Sequence, residues 1–275
     1  MPDVHIVTDS NADIPPDLVA RLGIVVVPSL VVINEQPYRD GVEISRAEFY
    51  AKLPGLRPPP STAAPSSGEF QDLYRACGPG PIISLHLAGP FSAICNVARL
   101  AAEGLGGQVT VVDTGSVSMG QGWQVIAAAE AAAAGVGLDG VLAAIQSVQA
   151  RVRLWAALDT VEYLRRSGRA GALSALLGDL LQIKPLLEVR AGTVKPVARL
   201  RTRHKVIDAL RAQVEGLGPL ERLAVLHTAA PADAHTLAAR LGHLTPEPPL
   251  VVEATAVIGT HVGPGALGLA AVIAG

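Results

Sequence analysis

The residues best suited to chemistry lie near the C-terminus, in the segment Thr255-Ala-Val-Ile-Gly-Thr-His-Val-Gly-Pro-Gly-Ala-Leu-Gly268. A run of apolar and β-branched residues, which is typical of a strand, leads into His261, and glycines flank this histidine. Because glycine lets another group approach the backbone closely, the segment suits contact with an anionic oxygen. The pattern leaves two alternatives open: a structural histidine beside a tight turn between two strands, or a histidine that binds an anion. A zinc site is not indicated, because His261 has no second ligand at metal spacing.

A second candidate is Asp9, which follows an apolar run at residues 4–8 that is predicted to be the first strand. A carboxylate in this place could act as the nucleophile of a phosphotransferase or phosphatase. That chemistry favours a second carboxylate two residues later, whereas here the next one, Asp13, is four residues away. We interpret Asp13 as a helix cap, and Asp9 stays ambiguous between a nucleophile and a turn residue.

Two basic clusters are candidates for binding. Arg199, Arg201 and Arg203 alternate along the chain, so on a strand they would share one face and could point together at an anion. The segment Arg165-Arg-Ser-Gly-Arg169 is better suited to a surface that meets a partner. The sequence has no Ser-His-Asp order, no paired catalytic carboxylates and no redox cysteine motif, which favours a binding protein over an enzyme.

Composition limits the classes of function. Of 275 residues, 49% are hydrophobic, 17% are charged and 3% are aromatic, so any interior is aliphatic. The net charge of −2 argues against nucleic acid as the main partner. Cys77 and Cys95 have no metal-ligand spacing and suggest no disulfide framework, so we expect a cytoplasmic protein. The opening residues do not resemble a signal peptide, and every long apolar run is interrupted, so we expect no stable membrane insertion.

Strands and helices alternate in the first half of the chain, which predicts an α/β fold with a parallel sheet covered on both faces. Asp13, Ser45 and Ser66 are predicted to cap helices, the last two in capping boxes. The proline-rich residues 54–65 are predicted to form a loop. Ligands of such sheets usually bind beyond the carboxyl ends of the strands. The predicted strands are residues 4–8, 24–33, 81–87 and 109–112. A helix at about 91–103 is predicted between the last two strands, and a long alanine-rich helix is predicted after Gly115.

The pattern changes after residue 150. Residues 184–190 and 194–200 alternate on either side of a turn at Ala191-Gly-Thr193, which predicts a β-hairpin. A helix from Thr202, a strand at 223–227, a helix from Pro231 and a strand at 250–258 complete the pattern. We therefore predict an N-terminal three-layer domain with a parallel sheet at residues 1–150. A C-terminal α+β domain with a mixed sheet is predicted at residues 151–275.

Seven motifs occur in order along nearly the whole chain. They are Val7-Thr-Asp-Ser-Asn-Ala-Asp-Ile-Pro15, Pro60-Ser-Thr-Ala-Ala-Pro-Ser-Ser-Gly-Glu-Phe70, Leu87-Ala-Gly-Pro-Phe-Ser-Ala93, Leu164-Arg-Arg-Ser-Gly-Arg169, Ile183-Lys-Pro185, Arg201-Thr-Arg203 and Ile258-Gly-Thr-His-Val-Gly-Pro-Gly265. Together they resemble the motifs of the DegV family of bacterial fatty-acid-binding proteins, which are the carrier subunits of fatty acid kinase. Each motif is modest alone, but seven in the same order are specific.

The resemblance implies that the N-terminal domain buries an acyl chain and that the carboxylate lies near the junction of the two domains. Where the family has serine, this chain has alanine at positions 63 and 88. A hydrogen bond from a hydroxyl to a carboxylate contributes about 1.5–3 kcal/mol, so we expect weaker head-group binding. Backbone N–H groups of Ala88 and Gly89, beside a helix N-terminus, could serve the anion instead, and Ser84 or His86 nearby could compensate. The residues implied to contact the head group are Thr62, Ala63, Ala88, Gly89, Arg201 and His261.

The resemblance also implies a carrier and not an enzyme. It would bind a long-chain fatty acid such as palmitate, would need no cofactor or metal ion, and would present the carboxylate to the catalytic subunit of a fatty acid kinase for acyl phosphate formation. Arg165, Arg166 and Arg169 are expected to face that partner. Two alternatives stay open: a phosphotransferase or phosphatase centred on Asp9, and a degenerate module that binds another amphiphile.

Overall fold

The computed structural model of the chain describes residues 4–168 and 183–275, and its strands lie in three sheets. The strands are β1 (His5–Asp9), β2 (Val25–Val27), β3 (Leu30–Ile33), β4 (Gln36–Arg39), β5 (Ser61–Ala63), β6 (Ile82–His86), β7 (Val109–Asp113), β8 (Val152–Ala157), β9 (Lys184–Arg190), β10 (Thr193–Leu200), β11 (Leu220–His227), β12 (Leu250–Glu253) and β13 (Leu267–Ile273). The helices are α1 (Pro16–Arg21), α2 (Arg46–Lys52), α3 (Ser67–Ala76), α4 (Ile94–Glu103), α5 (Met119–Ala133), α6 (Gly137–Arg151), α7 (Glu162–Arg166), α8 (Arg203–Glu215), α9 (Pro231–Leu241) and α10 (Ala256–Val262), with 3-10 turns at Ser10–Ala12, Leu53–Gly55 and Gly242–Leu244.

The first sheet is parallel and has the strand order β2-β1-β6-β7. Its strands are rich in valine, isoleucine and leucine because helices cover both of its faces. Helices α3 and α4 pack on one face through Phe70 and Ile94. Helix α5 packs on the other face through Met119 and Trp123. The loops that follow β1, β6 and β7 therefore meet at one edge of this sheet.

The second sheet is mixed and has the order β10-β9-β8-β13-β11-β12. Strand β12 is parallel to β11, and the other neighbours are antiparallel. Helices α5 and α6 lie on the face toward the first sheet, and α8 and α9 cover the opposite face. The parallel sheet, the mixed sheet and the helices between and around them confirm the predicted α/β fold class.

The predicted domain boundary falls close to the start of the mixed sheet. The first strand of this sheet along the chain, β8, begins at Val152. Buried residues of both halves, with Ile83 from the first sheet and Leu226 from the second, belong to one core cluster around α5. The division into domains at residues 1–150 and 151–275 therefore stays a prediction.

The third sheet corrects two of the predicted elements. Residues 24–33 are not one strand, because Pro28 lacks an N–H group and the Ser29 N–H donates to Ser10 Oγ at 3.2 Å. The chain leaves the parallel sheet there, and β3 pairs with β4 and β5 in an antiparallel sheet. Residues 54–65 are not all loop, because β5 begins at Ser61, after the last of three consecutive prolines, and pairs with β3.

The predicted strand at residues 250–258 is wrong in its second half. Strand β12 ends at Glu253, and helix α10 begins at Ala256 and carries His261 in its last turn. Two buried carboxylates explain this change, because Asp13 accepts from the Thr255 N–H at 2.8 Å and Asp40 accepts from the Ala256 N–H at 3.1 Å. These contacts satisfy N–H groups at the start of the helix, so tertiary structure overrides the β-branched composition.

The same contacts correct the predicted role of Asp13. This residue does not cap α1, whose N-cap is Pro15; it is in the left-handed conformation with φ 55° at the end of the first 3-10 turn. The long alanine-rich helix is also two helices, because the chain breaks at Gly135 and Gly137, which both have positive φ. The β9–β10 hairpin is confirmed. Ser66 forms the predicted capping box, and Ser45 accepts from the Glu48 N–H without the reciprocal bond of a box.

Candidate functional site

A cavity of about 930 Å³ opens at the carboxyl edge of the parallel sheet, against the inner face of the mixed sheet. The loops after β1, β6 and β7 form one side, and strands β8, β9, β11 and β13 form the other. Its size lies in the range of sites for small organic ligands, and it is open enough to admit one. Most of the wall is aliphatic, with Leu87, Leu154, Ala156, Leu158, Leu164, Leu187, Val189, Leu226, Val257, Val262 and Leu267 among its members.

One part of the wall brings Thr62 and His261 together. The Thr62 Oγ1 and His261 Nε2 atoms are 3.0 Å apart, although the residues are 199 positions apart in the chain. Strand β5 holds Thr62 opposite Val31 of β3, and the last turn of α10 holds His261. When a hydroxyl and a neutral imidazole share one hydrogen bond, one hydrogen of the pair remains free to donate to a carboxylate oxygen, so this pair is suited to an anionic head group.

The helix that carries His261 is held by buried charges. Burial raises the pKa of Asp13 to about 6, although Arg46, Ser118 and Thr255 favour its ionised form. Burial also raises the pKa of Asp40, against hydrogen bonds from Ser10 and Ala256 and the charge of Arg46. The Arg46 guanidinium lies 3.8 Å from Asp13 Oδ1 and also donates to the carbonyl of Glu253. These groups anchor the start of α10, and they thereby place His261 at the cavity.

Only some of the six predicted head-group residues lie on the cavity wall. Four of them, Thr62, Ala63, Gly89 and His261, contribute to the cavity wall. Arg201 is exposed and stands outside the wall, because it follows the end of β10.

Ala88 is buried outside the wall, and its N–H donates to the Ser116 carbonyl at 3.0 Å. The Gly89 N–H donates to Asp113 Oδ2, also at 3.0 Å. Both N–H groups therefore have protein acceptors in this arrangement. Whether each of the six predicted residues contacts a ligand stays a prediction.

Asp9 belongs to a buried polar chain. Its Oδ2 lies 2.9 Å from His86 Nδ1, and His86 Nε2 lies 2.7 Å from Ser84 Oγ, which accepts from the Tyr74 hydroxyl. All four side chains are almost completely buried. Burial by itself raises the pKa of Asp9, but the hydrogen bond and charge of His86, with bonds from Asn11 and Leu87, lower it overall. An attacking carboxylate needs an open approach, so this geometry fits a structural acceptor.

Those residues of the two basic clusters that the structure describes lie at the surface. Arg165 and Arg166 are exposed on α7, and Arg166 pairs with Glu162 at 2.7 Å. Arg169 lies outside the described residues. Arg203 does not share a strand face with Arg199, because it begins α8 and pairs with Asp233 at 2.7 Å.

Sequence reasoning missed several polar residues of the cavity wall, notably Asn11, Ser29 and His227. Burial, together with the charges of His235 and Arg46, lowers the pKa of His227 to about 4, so the ring is neutral at pH 7. The available signals were weak: Ser29 interrupts an apolar run after Pro28, and His227 ends one. In the described ranges, no group of three or more His, Cys, Asp or Glu side chains could hold a metal ion. None of the helices in those ranges is long and apolar enough to cross a membrane.

Comparison with known proteins gives one consistent family. A family model described as an uncharacterised protein of the DegV family matches residues 3–274. A DegV domain-containing protein from Deinococcus radiodurans is 38% identical over 274 residues, and the match covers 97% of each chain. A second one, from Streptomyces coelicolor, is 39% identical over 274 residues with the same coverage.

Solved structures agree with these relatives. A fatty-acid-binding DegV family protein from Thermus thermophilus superposes with a TM-score of 0.90 at 35% identity, covering 99% of this chain and 100% of that one. DegV from Bacillus subtilis, a fatty-acid-binding protein, gives a TM-score of 0.88 at 27% identity and covers 99% of both chains. The similarity therefore extends over the whole fold, including the elements that surround the cavity.

Proposed function

Because this chain belongs to the DegV family, we propose that it binds a long-chain fatty acid, with the acyl chain in the apolar cavity and the carboxylate at Thr62 and His261. The observation that carries the proposal is an aliphatic cavity of about 930 Å³ with a hydroxyl and an imidazole in contact on its wall. The fatty-acid-binding relatives from Thermus thermophilus and Bacillus subtilis support the same ligand class.

The magnitudes favour tail burial as the main source of affinity. Burying about fourteen methylenes at roughly 0.8 kcal/mol each contributes on the order of 11 kcal/mol before other costs. Loss of translational freedom and ordering of the chain remove several kcal/mol of this. The head-group contacts then add less than the tail and mainly set its direction. A family serine replaced by Ala88 is compatible with binding on this account.

Calorimetry on delipidated protein tests the proposal. Palmitate is expected to bind with one-to-one stoichiometry and a negative heat-capacity change, because apolar surface is removed from water. Native mass spectrometry of the protein as purified is expected to show a co-purified acyl chain. Absence of both signals would refute a fatty-acid-binding function, and a different co-purified amphiphile would support the degenerate-module alternative.

We propose further that the bound carboxylate is presented to an ATP-dependent kinase subunit, which forms the acyl phosphate. The exposed arginines Arg165 and Arg166 offer a basic surface for such a partner. This protein would supply no nucleophile of its own, which is consistent with the buried and fully bonded Asp9 carboxylate. Acyl phosphate formation by a candidate kinase should require both this protein and the fatty acid. Magnesium-dependent phosphoester turnover that disappears in Asp9→Asn would instead favour the phosphatase alternative.

A further inference from the structure

Helix α10 lines the cavity with one side only. Val257, Ile258, His261 and Val262 contribute to the cavity wall, whereas Gly259 is buried outside it. Because successive residues of an α-helix are about 100° apart around its axis, Gly259 and His261 lie on nearly opposite sides of α10. A side chain that packs at Gly259 therefore supports the helix from the side away from the cavity.

Tyr50 of α2 packs directly on Gly259. A Cβ atom added at Gly259 would lie 2.6 Å from both Cε1 and Oη of Tyr50, whereas ordinary contacts begin at 3.4 Å. The glycine therefore allows the aromatic ring to lie against the backbone of the helix. Tyr50 is 5% exposed and belongs to a core cluster with Phe49 of α2, Val31 of β3 and Ala256 of α10. Close packing with these neighbours holds the ring in place.

The hydroxyl of Tyr50 fixes the chain just before the helix. Its oxygen lies 2.9 Å from the Ala254 carbonyl oxygen and 3.2 Å from the Thr255 carbonyl oxygen, so its one hydrogen is donated to this pair of acceptors. Thr255 is the N-cap residue of α10. Tyr50 thus contacts the segment at two places, at its N-cap and at Gly259. Two such contacts determine both the position of the helix and its rotation about its own axis.

The same core cluster supports the other residue of the head-group pair. Thr62 of β5 pairs with Val31 of β3, and Val31 is completely buried in the cluster that contains Tyr50. Tyr50 therefore lies among the elements that carry Thr62 and His261, whose side chains are 3.0 Å apart. Because a hydrogen bond weakens steeply when its distance and angle change, a small displacement of α10 would disturb this pair.

We propose that Tyr50 is a positioning residue of the head-group site: its contacts with Gly259 and the N-cap set the placement of His261 beside Thr62, and thereby the preference of the cavity for a carboxylate over an uncharged head group. The inference rests on the proposed fatty-acid function. Tyr50 lies outside the cavity wall and outside the seven motifs. Its effect is therefore exerted through His261 and is specific to the acid.

Binding of palmitate and of its methyl ester to the delipidated full chain tests the proposal, because the two ligands share one tail and only the acid is charged. The measured quantity is the dissociation constant of the ester divided by that of the acid. Tyr50→Phe keeps the ring and removes the hydroxyl, and it should lower this ratio about threefold to tenfold. Gly259→Ala, which forces α10 away from the ring, should lower it further. In a His261→Ala background, Tyr50→Phe should leave the ratio unchanged.

Tyr74→Phe provides the matched control, because Tyr74 is 1% exposed and its hydroxyl donates to Ser84 Oγ at 2.9 Å. It should lose a similar amount of stability to urea and keep the wild-type ratio. A wild-type ratio in both Tyr50→Phe and Gly259→Ala, or a reduction that persists in the His261→Ala background, would overturn the positioning role while fatty acid binding stands. Failure of the wild-type protein to bind palmitate would instead refute the proposed function itself.

Discussion

Because Thr62 and His261 are in contact on the cavity wall, a single substitution there is expected to weaken binding of the carboxylate head group. His261→Ala removes a donor to the carboxylate, and a hydrogen bond to a charged group contributes about 1.5–3 kcal/mol. We expect the dissociation constant for palmitate to rise by about tenfold to a hundredfold, while binding of the uncharged methyl ester changes much less. Titration calorimetry with both ligands measures this difference. The exposed His235→Ala on α9 is the matched control. Equal losses for acid and ester would mean that His261 supports the tail instead.

At the scale of residues, the motifs that resemble the family predicted more of the cavity wall than the spacing of residues along the chain did. Thr62 and His261 are both among the residues implied by the resemblance, and the fold brings them within 3.0 Å. Their distance along the chain meant that no periodicity could show this contact. Arg201 was implied in the same way, but the strand before it ends at Leu200 and leaves it exposed. Asn11 and Ser29 were missed because their arrangement depends on a break between two sheets.

At the scale of elements, the closing helix α10 shows how tertiary contacts decide a conformation. The β-branched residues before and within Ala256-Val-Ile-Gly-Thr-His-Val262 favour a strand by composition, and a strand was predicted at residues 250–258, which includes the first three residues of the helix. The carboxylates of Asp13 and Asp40, more than 200 residues earlier, bind the first N–H groups of the segment and favour a helix. Since this information is remote in the sequence, local patterns could not supply it. The alternation of strands and helices in the first half of the chain is a local pattern, and the parallel sheet that it predicted is confirmed.

The Asp13 cap makes stability depend on pH. Burial raises the pKa of Asp13 to about 6 from its ordinary value of 3.8, so the folded state holds a proton more tightly than the unfolded state does. Stability from this group is therefore present at low pH and falls as the pH rises toward 6. Asp13→Asn lacks this titration. When the pH is raised from 4.5 to 7.5, the difference in unfolding free energy between Asp13→Asn and the wild type should therefore shift by about 2 kcal/mol in favour of the variant, since one pKa unit corresponds to about 1.4 kcal/mol.

Urea unfolding of both proteins at the two pH values measures this change. The charge of Asp40 contributes to the raised pKa of Asp13, so the comparison measures the titration of Asp13 together with its effect on Asp40. Asp17→Asn, at an exposed position of α1, should show no comparable change. If the unfolding free energy of Asp13→Asn differs from that of the wild type by the same amount at pH 4.5 and pH 7.5, then Asp13 is ionised throughout this range and its pKa is not raised.

At the scale of the whole molecule, the cavity exists because two neighbouring strands of the mixed sheet, β8 and β13, carry small residues at one level. Ala156 of β8 pairs with Gly268 of β13 on one side and with Leu187 of β9 on the other. All three contribute to the wall, and neither Gly268 nor Ala156 fills the space in front of the sheet. The added Cβ of a residue at 268 would lie 2.8 Å from the Trp155 carbonyl, so Ala156 is the better position for substitution.

Ala156→Phe should shorten the chain that the cavity accepts. If the ring displaces about two methylenes, the loss at roughly 0.8 kcal/mol each raises the dissociation constant for palmitate by about tenfold or more. Dodecanoate should lose less, because its shorter tail can avoid the ring. Unfolding of the ligand-free variant should be little changed, since the ring enters open space. Ala239→Phe, exposed on α9, is the control for a surface phenylalanine. If palmitate and dodecanoate lose affinity equally, the substitution acts at the head group and the acyl chain lies elsewhere than against β8.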